Sequence, residues 1–406
     1  MSFLRGFSLN AASTALAFAL GWANHWLLAN HLDKAGYGRL ALWTTTAVIA
    51  ATLLGEWLRR GTTFVVGREG AGAEARDNAL LCCLVILGVG MGLAYAGAGT
   101  AGRFLGPEAL SWWPLLAALP ALVVLQRAGQ AVLLGMDRIR PYAAIPVLFI
   151  SAYLGSNAVL LMAGRLRLEL ALVVFAGAAG VAGLAAFLAL RRAGPSTWGD
   201  RQLLRRTLAV GWRGALSVSL VLLLLRGDFF LIKHFLDEAS VGTYRVALNF
   251  AEMMQCVPDV AGAVLLAKVV RGEDGGLSLR VARGTLLFSL AAALALLAAG
   301  RPLIGWLFSS YPEAFPPLAW MLPGLVFLGL GSVCNTRLAG EGYPAITLWA
   351  AAVALGLNLG LGLWLIPGWG LLGAAWSKSI AYAAWALLVC GRYLRMEDRG
   401  WGALFR

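Results

Sequence analysis

Charged residues interrupt two apolar segments in the second half of the sequence, and their types suit the binding of ions. Arg226 and Asp228 break a run of leucines, and Lys233 follows Arg226 at a distance of seven residues. Charges inside long apolar segments cost about 2.5–3.5 kcal/mol each on membrane-insertion scales, so they need a reason. Basic side chains at such positions could bind an anionic head group, and carboxylates could bind H⁺ or Na⁺.

A second polar set recurs at helical spacing a little further along the chain. Successive steps of 100° place Arg245, Asn249, Glu252, Cys256 and Asp259 within about 40° of one line on a helix. Such a stripe on an apolar helix must face protein or water rather than lipid. Two interpretations remain open, a hydrogen-bonded seam between helices or the lining of a central cavity.

The same geometry separates the charges around residue 227. Arg226 and Lys233 share a face, whereas Asp228 lies about 200° around from Arg226. Arg226 could pair with Glu252 or bind an anionic group, and Lys378 is the only charge of its span. The candidate substrate-binding residues are Arg226, Arg245, Lys233, Lys378 and Asn249, and the candidate ion-coupling residues are Asp228, Glu252 and Asp259.

Composition identifies a polytopic membrane protein. The chain has 406 residues, of which 60% are hydrophobic and 13% charged, whereas soluble domains are about a quarter charged. Its five cysteines all fall in apolar spans without metal-ligand spacing, and no Ser-His-Asp or Gly-rich phosphate motif is evident. The sequence therefore predicts neither an enzyme nor a catalytic residue, metal or cofactor. Glu56, next to Arg59 and Arg60, is expected to form an interfacial ion cluster.

Apolar runs near the roughly 20 residues that cross a bilayer predict twelve transmembrane helices. Residues 342–377 carry no charge, and Pro367-Gly368-Trp369-Gly370 should divide this long run into two spans. The predicted spans are 7–29, 37–58, 79–101, 109–134, 142–164, 168–190, 208–235, 241–266, 282–300, 315–337, 343–366 and 369–391.

Loop charges predict the orientation. Of the 33 Lys and Arg residues, 21 fall in the two termini and the even-numbered loops, and six fall on the opposite side. The positive-inside rule then places both termini in the cytoplasm, and it accounts for the net charge of +13 without a nucleic-acid partner. We expect a multi-pass membrane protein.

The sequence also repeats itself at an interval of just over 200 residues. Segment 32–38 matches segment 236–242, Gly135 matches Gly340, and Asn157 matches Asn358. Six spans per half predict two parallel lobes, for which a site between the halves is usual. The predicted domains are an N-terminal lobe at 1–192, a cytoplasmic linker at 193–207 and a C-terminal lobe at 208–406.

Several of these segments together resemble the polysaccharide or O-antigen repeat-unit flippases of the MOP (multidrug/oligosaccharidyl-lipid/polysaccharide) superfamily. They are Leu32–Gly38, Arg226–Asp228 with 236–244, and Asn358 with the turn Ile366–Ala375. The resemblance implies an all-α, MATE-like fold of two six-helix lobes, an alternating-access mechanism and a location in a bacterial inner membrane. It also implies a polyprenyl-diphosphate-linked oligosaccharide as substrate, with membrane lipids, H⁺ or Na⁺ and other polysaccharide-assembly proteins as candidate partners.

Two alternatives lead to different expectations. A MATE-like, cation-coupled exporter of small molecules would favour a predominantly acidic cavity, whereas the embedded charges here are mixed and tend to be basic. A membrane glycan polymerase or glycosyltransferase would need a sizeable external loop with an acidic pair or an Arg-rich motif, and the sequence offers none.

Overall fold

The computed structural model describes residues 3–105, 107–191, 194, 199–269, 276–340 and 345–404. This part of the chain folds into twelve α-helices with short 3₁₀ turns and no strands. The helices are α1 Phe3–His31, α2 Lys34–Glu69, α3 Gly72–Leu105, α4 Trp113–Gly135, α5 Ile139–Met162, α6 Leu168–Ala189, α7 Arg201–Arg226, α8 Asp228–Phe235, α9 Glu238–Val269, α10 Leu277–Leu307, α11 Phe315–Gly340 and α12 Ala345–Met396.

These helices follow the order of the twelve predicted spans. α7 and the short α8 together form one span, and the 52 residues of α12 are interrupted at Gly370, whose φ is 56° and ψ −135°. A single crossing needs only about 20 residues, so α12 is long enough for the two predicted spans. Among the described residues, nine stretches are long and apolar enough to cross a membrane. α9, which carries the polar stripe, is not one of them.

Aspartates cap two helices at matching positions of the predicted repeat. Asp33 Oδ2 accepts a hydrogen bond from the Gly36 N–H at 3.2 Å, at the start of α2. Asp237 Oδ1 accepts one from the Ser240 N–H at 2.7 Å, at the start of α9. Each carboxylate satisfies an amide that the first turn of a helix leaves unpaired. The matching segments 32–38 and 236–242 therefore play the same structural role, since each supplies the aspartate that caps the following helix.

The chain forms two compact units, Met1–Ser219 and Leu220–Arg406, with the boundary inside α7. In the first unit, α4 packs against α2, α3 and α6, while α1 packs against α5. Gly55 allows the close approach of α2 and α4, because a Cβ there would lie 2.6 Å from Val124. In the second unit, α11 packs against α9, α10 and α12, and the short α8 packs against α9 and α12.

The predicted linker lies partly outside the described residues, namely at 193 and 195–198. Its described part is fastened to the start of α3. Arg76 Nη1 donates to the carbonyl oxygens of Leu190 and Gly194, at 3.4 and 3.1 Å. The Asn78 side chain exchanges two hydrogen bonds with the backbone of Asp200, at 2.8 and 2.9 Å. The division into lobes at this linker stays a prediction.

Candidate functional site

A break between two helices of the second unit separates Arg226 from Asp228. α7 ends at Arg226 and α8 begins at Asp228, with Gly227 between them. A Cβ at Gly227 would lie 2.6 Å from the carbonyl oxygen of Leu223, so a larger residue does not fit without movement. Arg226 and Asp228 have different partners on the two sides of this glycine, Glu252 and Lys378.

The break also leaves carbonyl groups at the end of α7 without partners from the following turn. Asn358 Nδ2 donates to the carbonyl oxygen of Leu224 at 3.3 Å. Lys378 Nζ donates to that of Leu225 at 3.0 Å. Both side chains come from α12, and a cation is favourable at the C-terminal end of a helix. α12 thus stabilises the broken span through polar side chains.

Lys378 also forms a fully buried ion pair. Its Nζ lies 2.8 Å from Asp228 Oδ2, and the two side chains are 0% and 1% exposed. The rings of Tyr244 and Tyr382 lie with their centroids 5.3 and 5.9 Å from the same nitrogen. Aromatic faces attract a cation at such distances, so the ammonium group is held by a carboxylate, a carbonyl and two rings.

A second charged cluster consists of two arginines on one carboxylate. Glu252 Oε1 accepts hydrogen bonds from Arg226 Nη2 and from Arg245 Nη1, the latter at 3.0 Å. The Arg226 and Glu252 side chains are 22% and 34% exposed, while Arg245 is nearly buried. These three side chains carry one positive charge in excess. We call them the arginine–glutamate cluster.

The polar stripe of α9 divides among several environments. Arg245 and Glu252 share a face and contact each other, as their spacing predicts. Asn249, which falls between them in the sequence, is buried. Gln255, a further polar residue of α9, donates to the carbonyl oxygen of Leu325 on α11 at 2.9 Å. Asp259 lies on an exposed part of the second unit. The stripe is therefore partly a seam between helices and partly a charged cluster.

Lys233 does not extend the arginine–glutamate cluster. Its Nζ pairs with Glu238 at 2.6 Å, and both side chains are about a fifth exposed. The predicted shared face assumed one continuous helix through residue 227, where the structure has a break. The assignment of Lys233 to substrate binding stays a prediction, as do the roles of the other seven candidates.

The first unit has an uncharged pair at related positions. Asn157 Nδ2 donates to Asn24 Oδ1 at 2.9 Å, and both residues are buried. Asn24 precedes Asp228 by 204 residues, the interval that also separates Asp33 from Asp237. Asn24 carries no charge that marks it in the sequence, but the interval of 204 residues counted back from Asp228 leads to it.

The ion cluster expected in the first unit is present. Glu56 is buried and accepts hydrogen bonds from Arg59 and Arg60, the latter at 2.9 Å. Nearby, Arg127 Nη1 donates to Thr52 Oγ1 at 2.8 Å. No group of three or more His, Cys, Asp or Glu side chains is placed to hold a metal within the described ranges.

Comparison with solved structures gives the fold. An inward-facing multidrug resistance MATE family transporter of the MOP superfamily matches with a TM-score of 0.73 at 15% identity, over 94% of this chain and 95% of that one. The lipid II flippase MurJ in an inward closed conformation matches with a TM-score of 0.81 at 13% identity, over 98% and 89%. An outward-facing MATE transporter matches with a TM-score of 0.67 at 15% identity, over 97% of each chain.

The fold is therefore that of the MATE and MurJ transporters, and the predicted all-α polytopic MOP/MATE-like fold class is confirmed. No protein-family model matches the sequence, and no curated protein matches it either. The finer resemblance, to polysaccharide or O-antigen flippases, stays a prediction.

Proposed function

We propose that this protein is a membrane transporter that moves a polyprenyl-diphosphate-linked oligosaccharide from the cytoplasmic to the outer leaflet by alternating access. The product would enter cell-surface polysaccharide assembly. The observation that carries the proposal is the arginine–glutamate cluster, because two guanidinium groups converge on one partly exposed carboxylate. The MOP-type fold, shared with a lipid II flippase, supports the same class of activity.

The chemistry of the cluster suits a diphosphate. Guanidinium groups present several N–H donors in a plane and bind phosphate oxygens through charge-assisted hydrogen bonds. The excess positive charge remains after Glu252 is counted, so an arriving diphosphate would meet a net attractive field. Glu252 competes with the diphosphate for both arginines, and this competition would favour release after the substrate has crossed.

The membrane potential could drive such export without ATP. An inside-negative potential favours outward movement of an anion by about 2.3 kcal/mol per charge per 100 mV. The buried Asp228–Lys378 pair is neutral overall and fixes the broken span, so in this proposal it supports the cluster rather than contacting the substrate. Direct roles for Lys233, Lys378, Asn249 and the carboxylates remain part of the prediction.

A second candidate is a cation-coupled exporter of small molecules. The observation that favours it is the buried carboxylate of Asp228, one of the predicted ion-coupling groups. Two of the similar structures are multidrug resistance MATE transporters by description. This candidate predicts transport that follows a pH or Na⁺ gradient and accepts cationic organic compounds.

Proteoliposomes loaded with a lipid-linked oligosaccharide would distinguish the two. Arg226→Ala should lower the initial rate of translocation about ten- to a hundred-fold, because a charge-assisted hydrogen bond is worth about 1.5–3 kcal/mol. Arg165→Ala removes an exposed charge from the first unit and should leave the rate unchanged. Glu252→Gln should bind the carrier more tightly and release it more slowly.

An imposed inside-negative potential should accelerate the wild-type reaction. Unchanged export by Arg226→Ala would refute the role of the cluster. Transport of cationic compounds, with none of the lipid-linked oligosaccharide, would favour the exporter instead.

A further inference from the structure

The second unit contains a cavity of about 520 Å³ at the end of α12, and none of the candidate site residues lines it. Its apolar side includes Ile346, from the start of α12, and Leu387 and Leu388, from near its end. Leu387 and Leu388 are exposed on the surface of the unit. The cavity is therefore open toward the region where lipid chains lie.

The polar rim of this cavity is formed by three arginines. Arg392, Arg395 and Arg399 all line it, and all three are exposed. Arg392 and Arg395 lie three residues apart on α12 and so share one face. We call these residues the arginine rim.

A fixed turn after α12 places the third arginine. Asp398 adopts a left-handed backbone conformation with a φ of 51°, and the Arg399 N–H donates to the carbonyl oxygen of Leu394 at 2.9 Å. These features end the helix and return the chain toward it. Arg399 and the following Trp401 consequently face the cavity instead of leaving the protein.

Contacts with two other helices hold the returning segment in place. Arg283 of α10 donates to the carbonyl oxygen of Ala403 at 2.8 Å, and Leu404 is buried. Glu397, an acidic residue beside the rim, pairs with Arg337 of α11 at 3.3 Å. Glu397 is thus drawn to α11, and the rim keeps its positive charge.

The distance of the arginine rim from the break in α12 is consistent with a position at the membrane surface. Arg392 follows the break at Gly370 by 22 residues, which at 1.5 Å per residue is about 33 Å of helix. The hydrocarbon core of a bilayer is about 30 Å thick. Arg392 therefore lies one membrane thickness from the break, and Trp401 is of a type enriched at this interface.

We propose that this cavity binds an anionic phospholipid. The arginine rim holds the phosphate, and the acyl chains run along Leu387, Leu388 and the neighbouring apolar surface. The loop charges predict that this end of α12 is cytoplasmic, and the cytoplasmic leaflet is the one that carries anionic lipid. The lipid would attach the returning segment to the membrane and stabilise the end of α12.

Native mass spectrometry of the detergent-purified protein tests the proposal. The probes are phosphatidylglycerol and phosphatidylcholine with identical acyl chains. The wild-type protein should retain phosphatidylglycerol in preference. The triple variant Arg392→Gln, Arg395→Gln, Arg399→Gln should bind it about a hundred-fold more weakly, at about 1 kcal/mol for each arginine near a lipid surface.

Two matched variants separate a cavity from a charged surface. The triple variant Arg140→Gln, Arg201→Gln, Arg205→Gln removes the same charge from exposed positions of the first unit and should bind as the wild type does. Gly391→Leu keeps the arginine rim but extends toward Trp401, which lies 3.4 Å from the position of an added Cβ. It should weaken phosphatidylglycerol binding about ten-fold, because it fills part of the cavity.

Three outcomes with the phospholipid probes would overturn the proposal, and a fourth concerns a competing probe. One is a wild-type protein without preference for phosphatidylglycerol, and another is equal loss in the two triple variants. The third is Gly391→Leu binding like the wild type, which would indicate diffuse surface attraction. Undecaprenyl diphosphate serves as a competing probe. If the rim variant loses this probe and keeps phosphatidylglycerol, the cavity is a substrate site and the assignment to phospholipid is wrong.

Discussion

Replacing one member of the buried Asp228–Lys378 pair should lower the stability of the protein far more than replacing both members together. Asp228→Asn leaves an ammonium group, and Lys378→Met leaves a carboxylate, in a place where the two side chains are 1% and 0% exposed. An uncompensated buried charge of this kind costs about 3–5 kcal/mol. The double variant retains neither charge and nearly the original volume, so it should be close to the wild type in stability.

Thermal unfolding in detergent provides the assay. A destabilisation of 1 kcal/mol lowers the midpoint by about 2–4 °C in a domain of 150–250 residues, so each single variant should unfold about 6–20 °C earlier. A thiol-reactive dye can report the transition, because Cys334 and Cys390 are buried in the same unit. The double variant should recover most of the loss.

The Lys233–Glu238 pair is a matched control in the same unit. It joins the same residue classes at 2.6 Å, but both side chains are partly exposed. Such pairs contribute about 0–1 kcal/mol, so Lys233→Met should shift the midpoint by no more than about 4 °C. Equal shifts of the unfolding midpoint for Lys233→Met and Lys378→Met would refute the reasoning. A double variant whose midpoint falls by the sum of the two single shifts would refute it as well.

Two further predictions concern the first unit. Asn157→Ala should cost about 1–3 kcal/mol, because it leaves the buried amide of Asn24 without its partner; thermal unfolding should show this loss but none for the neighbouring exposed Ser156→Ala. Gly211→Val should sharply reduce the yield of monodisperse protein in size-exclusion chromatography, because even a Cβ there would lie 2.0 Å from the carbonyl oxygen of Trp57. Gly88→Ala, with open space around it, should behave as the wild type, and a normal elution profile for Gly211→Val would contradict the packing argument.

Predictions from the sequence were most accurate where a single rule applies within one segment, such as the length of an apolar run or the spacing of residues on a helix. Apolar length and the Pro367–Gly370 turn predicted that α12 contains two spans, and Gly370 is indeed non-helical. Helical spacing within α9 predicted that Arg245 and Glu252 share a face, and they form an ion pair. The shared face of Arg226 and Lys233 stays a prediction, because steps of 100° apply to an unbroken helix and α7 ends at Arg226.

Contacts between segments that lie far apart in the chain could mostly not be predicted from the sequence. Lys378 and Asp228 lie 150 residues apart, and nothing in their local patterns indicates that they meet. The pairing of Arg226 with Glu252 was one of two open interpretations, since a mixed set of charges permits several partners. The repeat could have narrowed these choices, because its interval relates Asn24 to Asp228.

The two units bury different groups at matching positions of the predicted repeat, Asn24 in the first and Asp228 in the second. An amide carries no charge, so Asn24 needs only a hydrogen-bonding partner, which Asn157 supplies. A lysine at position 378 without the acid would leave a buried cation beside two aromatic rings and a carbonyl oxygen. The two charges of the second unit therefore depend on each other, and a sequence change that removes one of them favours a matching change at the other.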